Sequence, residues 1–484
     1  MLENLQPQSV FHYFEEICKI PHGSYNVDKI SDYLMEFAKE HHLEAYQDDE
    51  KNVIMIKEAA ESKKDRPAIM IQGHMDMVAV KNPGATIDLE KDSLELAIDG
   101  DYVYAKETSL GGDDGIAVAY GLALLADDSL ELPRIELVIT TQEEVGMEGA
   151  TAIDLSPCKA MTMLNIDSEE EGEFIVSCAG GIRVATTIPV TSIPLEDAEQ
   201  YDAYEVVCQD FSGGHSGVEI IYGRANAIRV MNSFLICAKM STDAKVASVS
   251  GGLKDNAIPV SAKALLYVKK DMVEEFIEAA ETFNESINEQ YGETDPKGNL
   301  SVQKIVMKEN PMVYSEESEK NIITYISECP DGVQSMSESL DGLVQTSLNM
   351  GILEGTEDSV KATFALRSSV GEEKDALIKQ MVSIGNKHHG SSELAGDYPA
   401  WEYKKESPLR EHLLSVYKKQ YGKEGKIVAL HAGLECGILY SKKPGLDCVS
   451  FGPDILDIHT TRERLSISST KRVWDFLLEV LDTI

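Results

Sequence analysis

Five residues with metal-binding side chains follow one another along this chain, each at the end of an apolar segment: His74, Asp113, Glu144, Asp167 and His459. Two more acids, Asp76 and Glu143, lie within two residues of one of them. Two imidazoles, two terminal carboxylates and a bridging carboxylate are what a pair of zinc ions requires. A further carboxylate beside such a pair can draw a proton from water, so hydrolysis is the chemistry this set could support.

Each residue also has a plainer reading. In His74-Met75-Asp76 the first and third side chains point the same way after a strand. Asp76 can therefore hold the imidazole rather than a metal, although such triplets are common in turns. Asp113 lies in Ser-Leu-Gly-Gly-Asp-Asp-Gly, a turn entering a helix. There an aspartate is either a helix cap or, with glycines allowing close approach, a bridge between cations, and Asp114 rivals it for both parts. Glu143 and Glu144 follow an apolar strand and repel each other, which is costly near a core unless cations compensate. Adjacent residues point apart, which suits one base and one ligand, Glu143 and Glu144 respectively; a solvated acidic loop explains the pair equally well. Asp167 opens an acidic run, Asp-Ser-Glu-Glu-Glu-Gly-Glu, most of which faces solvent. A single histidine in a loop, as His459 is, is more often structural than a ligand. Only the ensemble changes that judgement.

The segments that would position these residues alternate between helical and strand patterns over the first ~180 residues, as in α/β layers. Apolar runs predict strands at Asn52–Ile56, Ala68–Gln72, Ile135–Thr140 and Met161–Ile166. Three of these runs deliver His74 with Asp76, Glu143 with Glu144, and Asp167. Open α/β sheets gather ligands at the carboxyl ends of their strands, so one mouth of one sheet could hold them all. Gly115–Leu125 reads as a buried helix, and Ile30, Leu34, Phe37 and Ala38 form the stripe of an amphipathic one. After Gly180-Gly181 the pattern changes to alternating strands and amphipathic helices, which could form two similar halves, with the polar stretch His388–Asp397 as a return linker. The last ~90 residues resume the first pattern and close on a helix with Val473, Phe476, Leu477, Val480 and Leu481 on one face. The expected fold is α/β. Residues 1–183 and 391–484 would form a discontinuous catalytic domain, a mixed sheet flanked by helices, and residues 184–390 an inserted α+β lid and dimerisation domain.

Composition narrows the function classes. A chain of 484 residues with 43% hydrophobic and 26% charged residues is ordinary globular protein, too long for one core. A net charge of −39 repels phosphate, which argues against nucleic acid and anionic membranes as partners. Eight cysteines without a C-x-x-C pair form neither a zinc ribbon nor a disulfide scaffold. The opening residues lack a basic and then apolar leader, so the expected compartment is the cytoplasm.

Together these residues resemble, in order and spacing, the dinuclear zinc exopeptidases related to aminoacylase, glutamate carboxypeptidase and tripeptidase. More narrowly, the chain resembles the bacterial aminoacyl-histidine dipeptidases. The likeness rests on Gly-His-Met-Asp-Met-Val (73–78), Glu-Glu-Val-Gly-Met-Glu-Gly-Ala (143–150) and Asn-Ile-Asp-Ser-Glu-Glu-Glu-Gly-Glu (165–173). Gly-Gly-His-Ser-Gly (213–217), Asp-Asn-Ala-Ile-Pro (255–259), Leu-Arg-Ser-Ser-Val (366–370) and His-Ala-Gly-Leu-Glu-Cys-Gly (431–437) extend it. The resemblance implies two Zn2+ per chain, with Co2+ or Mn2+ as alternatives. His74 and Asp167 would hold one ion, Glu144 and His459 the other, and Asp113 would bridge them. Glu143 would be the general base acting on a metal-activated water, and Asp76 the orienting carboxylate. His215 would stabilise the transition state, often across a homodimer, while Asn256 and Arg367 would hold the substrate. A guanidinium fork suits a free C-terminal carboxylate. The implied activity is hydrolysis of Xaa-His dipeptides, β-alanyl-histidine included. Broader dipeptidases, tripeptidases and aminoacylases share these motifs, and an inactive binding protein could keep the fold, but degenerate members lose ligands or base and here every position is filled. Two departures stand out: Asp114 where this branch commonly has Asn, and His-Thr-Thr-Arg-Glu (459–463) where it usually has His-Ser-Pro-Asp-Glu.

Overall fold

The apolar runs of the first part of the chain form the middle of an eight-stranded mixed sheet in the computed structural model, which describes residues 1–484. The spatial order is Glu44–Gln47, Val53–Lys57, Ile135–Thr140, Ile69–His74, Thr162–Asn165, Asp447–Ser450, Glu173–Cys178 and Lys426–Leu430. Ile69–His74 runs parallel to Ile135–Thr140 and Thr162–Asn165, and the latter runs parallel to Asp447–Ser450. Parallel strands are covered on both faces, so they read as near-continuous apolar runs. Accordingly, Ile69–His74 and Ile135–Thr140 are buried at every position. Register lays His74 beside Thr140, Gln72 beside Asn165, and Asn165 beside Ser450, so four strands end together.

Helices complete this layer. Gly112–Ala126 is apolar all round and buried from Gly112 to Leu125, as a helix wholly inside a core must be. Ile467–Thr483 is amphipathic and buries the expected stripe, Val473, Phe476, Leu477, Val480 and Leu481. Its Phe476 meets Phe174, Tyr417 and Phe451 with ring centroids 5.8, 5.9 and 5.3 Å away, mostly edge to face. That cluster joins segments far apart in sequence, and aromatic pairs in this geometry add to the burial itself.

The chain divides into two compact units, Met1–Cys178 with Tyr403–Ala429 and Leu434–Ile484, and Ala179–Glu402 with Leu430–Gly433. The second unit holds a nine-stranded sheet ordered Asn299–Ile305, Tyr201–Gln209, Ala262–Lys269, Lys245–Gly251, Val344–Gly355, Ser359–Ser368, Gly180–Pro189 and Ser391–Tyr398, with Gly332–Met336 also on Val344–Gly355. Pairing of Lys245–Gly251 with Val344–Gly355 joins the two halves of this sheet edge to edge. The helices Ala227–Thr242, Val273–Tyr291, Glu316–Glu328 and Gly371–Lys387 pack their apolar sides into its core.

One expectation is corrected here. The polar stretch His388–Asp397 is not a linker, because Ser391–Tyr398 pairs antiparallel with Gly180–Pro189. Its polarity reflects an exposed edge position, where a strand needs few apolar side chains. Strand pairing thus carries residues 180–183 and 391–398 into the second unit, and its boundaries fall at 178/179 and 402/403.

Replacing Phe476 by alanine removes the ring that ties the closing helix to Glu173–Cys178. Phe476→Ala should destabilise the first unit by about 3–5 kcal/mol, read as a lower urea midpoint for its unfolding transition.

Candidate metal centre

His74 closes its strand fully buried, and its ring is held from behind by the main chain. Nδ1 donates to the backbone carbonyl of Asp76 at 2.9 Å, which leaves the Nε2 lone pair facing forward. The Asp76 carboxylate lies 3.6 Å from the same Nδ1, beside the imidazole, and it has further partners. It accepts from Ser24 Oγ at 2.9 Å and from the amides of Glu143 and Glu144 at 3.1 and 3.4 Å. Asp76 therefore fixes the loop that carries the two glutamates. Burial alone would raise its pKa, but His74, Ser24 and the Glu143 amide hold it below the ordinary value.

Asp113 stands between the two imidazoles. Its Oδ1 lies 3.2 Å from His74 Nε2 and its Oδ2 lies 3.1 Å from His459 Nε2. Asp167 Oδ1 is 3.6 Å from His74 Nε2, and Glu144 Oε1 is 3.0 Å from His459 Nε2. Glu143 Oε2 stays farther off, 4.0 Å from His74 Nε2. Ligand-capable atoms of His74, Asp113 and Glu144 all fall within 4.8 Å of one another, and so do those of His74, Asp114 and Asp167. Asp114 also accepts the His74 amide at 3.2 Å. Its carboxylate thus braces the strand end, while Asp113 faces both rings.

The Gly-Gly-Asp turn is held by Glu463, a residue of the His459 loop. The Glu463 carboxylate accepts the amides of Leu110 and Gly112 at 2.8 and 2.7 Å, with Gly111 at 3.1 Å and Asp113 at 3.4 Å. Gly111 has φ +69°, and a side chain there would also meet Met77 and His22, so glycine is required twice over. The loop closes without a proline: the Thr460 hydroxyl donates to Asp457 O at 2.7 Å and accepts from the Arg462 amide at 3.1 Å.

Electrostatics fit a pair of divalent cations. Burial and neighbouring acids push Asp167 up to about 6, Glu169 up to about 8, and Glu143 well above the ordinary range. For Asp113 burial also acts upward, but hydrogen bonds from His459 and His74 outweigh it and lower its pKa. Hydrogen bonds to Asp113 and Glu144 raise His459 to about 10. Glu144 Oε1 is buried and faces the His459 ring. The ion pairs of this cluster use no lysine or arginine, only the two histidines. Two imidazole nitrogens, one carboxylate facing both, and one acid at each end suit two cations sharing Asp113.

A family model described as peptidase family M20/M25/M40 matches residues 70–483. The chain belongs to that family. It is 32% identical over 483 residues to a cytosol non-specific dipeptidase of Escherichia coli (strain K12), covering 100% of this chain and 99% of the other. The solved aminoacylhistidine dipeptidase of Vibrio alginolyticus superposes with a TM-score of 0.94 at 30% identity, covering 100% of this chain and 98% of that one. An aminopeptidase, PepT, of Bacillus cereus superposes over 99% of this chain and 98% of its own with a TM-score of 0.57 at 15% identity, a likeness of fold alone. The family and its centre make this chain a metal-dependent peptide hydrolase. No helix is long and apolar enough to cross a membrane.

In the second unit, the ribbon pairing Gly214–His215 with Ala257–Ile258 sets His215 beside Asn256, whose carbonyl accepts the Ser216 amide at 2.9 Å. His215 Nδ1 accepts from the amides of Gly217 and Val218 at 3.2 and 3.3 Å, so the neutral ring carries its hydrogen on Nε2. Burial and then the Arg367 charge lower its pKa. His431, unassigned on sequence, has its Nε2 2.7 Å from Ser347 Oγ, and burial and Arg367 push it down to about 4.

Glu435 also escaped sequence reasoning. Wholly buried, it accepts from Gln72 Nε2 at 2.6 Å and Thr140 Oγ1 at 2.5 Å, linking two of the parallel strands where they end. Burial pushes it up to about 8. Its signal was present: Gln72 and Glu435 are polar residues inside otherwise apolar runs.

A cation at His459 needs the neutral ring, and a group held at about 10 carries a proton through pH 7–9. Binding there releases that proton, so affinity should rise with pH by about tenfold per unit for each proton released. Competition against a chelator at pH 7 and 8 measures the slope, and a pH-independent affinity would contradict the ligand role of His459.

Proposed function

We propose that this chain is a cytoplasmic dipeptidase, working with two Zn2+ held by His74, Asp167, Glu144 and His459 and shared by Asp113. Its substrates are dipeptides with a free C-terminal carboxylate, Xaa-His dipeptides such as β-alanyl-histidine among them. One observation carries this reading: the Asp113 carboxylate faces both imidazoles, with Glu143 just outside the donor set. The names of the Escherichia coli and Vibrio alginolyticus relatives support the substrate class. The first of those names also supports a second reading, a dipeptidase without histidine preference. The resemblance to a family in which the histidine matching His215 is often supplied by a neighbouring subunit extends the proposal to a homodimer.

When bound, the cations supply Lewis acidity and make a water acidic enough to attack at neutral pH. Glu143 takes that water's proton and returns it to the leaving amine. Its raised pKa suits a general base: burial acts first, the pull of His74 opposes it, and repulsion from Asp167, Glu435 and Glu144 adds to the rise. Asp76 holds Glu143 and Glu144 in fixed relation through their amides. A neutral His215 with hydrogen on Nε2 donates to the oxyanion. Arg367, with Asn256, holds the substrate carboxylate, which explains why a free C-terminus would be required.

Two substitutions separate base from ligand. Glu143→Ala should keep its metal and lose about 10²–10⁴-fold in kcat, whereas Glu144→Ala should lose metal. Elemental analysis with turnover assays decides, and exchanged phenotypes would reverse the assignment. A panel of Xaa-His, other Xaa-Xaa, tripeptide and N-acetyl substrates distinguishes the readings. Equal kcat/KM across dipeptides favours the broad one, and activity confined to tripeptides or N-acetyl amino acids sinks both.

A further inference from the structure

We propose that Tyr398 is a positioning residue for Arg367, and that Gly181 is the gap across which it acts. The inference rests on the reading that Arg367 holds a substrate carboxylate.

Three neighbouring strands carry these residues. Antiparallel register pairs Arg367 with Gly181, and Gly181 with Tyr398 on the far side. The three therefore form one row across the sheet, with side chains on the same face. Strands two apart are separated by about 10 Å, a span that only two long side chains can bridge. They do so: Arg367 Nη1 donates to Tyr398 Oη at 2.8 Å. A Cβ on Gly181 would overlap the Tyr398 hydroxyl and its ring. Gly181 is absent from the positive-φ glycines, so space rather than backbone conformation requires a glycine there.

The chemistry of the anchor fits its place. A cavity of about 200 Å³ opens on this face, lined by Arg367, Tyr398, Arg183 and Asn256 with small residues such as Ala365 between them. Arg183 is already ion-paired with Asp255. Arg367 enters no ion pair, and its Nε is buried without a partner. An aspartate in place of Tyr398 would hold the guanidinium but cancel its charge. A phenol fixes the fork and leaves the charge for an anion, the demand a carboxylate-recognising arginine makes.

The test compares the zinc-loaded wild type with Tyr398→Phe, Gly181→Ala and Arg367→Ala on one dipeptide in its free-acid and C-terminally amidated forms. Tyr398→Phe keeps the ring and removes only the hydroxyl. It should raise KM for the free acid about tenfold, the usual worth of a hydrogen bond to a charged group. Its kcat should stay within about twofold, and the amidated substrate should be unaffected. Gly181→Ala, which crowds the hydroxyl aside, should shift the same ratio in the same direction. If Arg367→Ala collapses the preference for the free acid and Tyr398→Phe leaves it intact, the positioning role is overturned while the reading of Arg367 stands. If Arg367→Ala leaves the preference intact, that reading falls and this inference with it. A Tyr398→Phe enzyme with a lower melting temperature but an unchanged preference would mark a structural hydroxyl only, and overturn the proposal.

Discussion

Like charges crowded where the parallel strands of one mixed sheet end are the constraint around which the first unit is organised. Asp113, Asp114, Glu143, Glu144, Asp167, Glu435 and Glu463 gather there, most of them buried. Isolated carboxylates in such surroundings cost several kcal/mol each or take up protons instead. The protein resolves the crowding in two ways. Some acids are neutralised by hydrogen bonds: Glu463 by a nest of consecutive amides, Asp76 by the Glu143 and Glu144 amides and Ser24. Others are given no such donors and face imidazoles only, and these are Asp113, Glu144 and Asp167. On the proposed reading, the division separates acids that build the scaffold from acids that would remain for cations. It also explains why the loop carrying His459 carries Glu463: the residue that neutralises the Gly-Gly-Asp turn delivers the second imidazole to it.

Much of this organisation was legible in the sequence because strand ends are. A parallel strand must be apolar and must stop, and the polar residues just past His74, Thr140 and Asn165 could be read as one mouth from the residues alone. Roles that depend on main-chain groups were not legible. The triplet His74-Met75-Asp76 predicts a carboxylate behind the imidazole; the Asp76 carbonyl also sits there, and the carboxylate, 3.6 Å from the ring, also grips a loop nearly seventy residues away. Spacing places Asp76 beside His74 but says nothing of the carbonyl or of the two amides. The edge strand Ser391–Tyr398 was hidden for a related reason: a strand exposed at a sheet edge lacks the apolar alternation by which strands are recognised. Glu435 was hidden by distance along the chain, since only the parallel register brings Gln72 and Thr140 to one carboxyl group.

The second unit answers the opposite electrostatic problem. There one guanidinium, Arg367, has no carboxylate partner, and it bears on two histidines. Burial acts first and the guanidinium second, and both favour the neutral rings of His215 and His431. A neutral imidazole has one hydrogen, and the amides of Gly217 and Val218 decide where it resides by occupying Nδ1 of His215. Protonated, the ring would lose that acceptor and repel Arg367; neutral, it is a directional donor that leaves the arginine as the group's positive charge. On the proposed reading, such a cluster would tell an anion from a neutral group through Arg367, while His215 would supply a directed hydrogen bond. That separation of charge from direction is what a site for a substrate with one fixed charge would require.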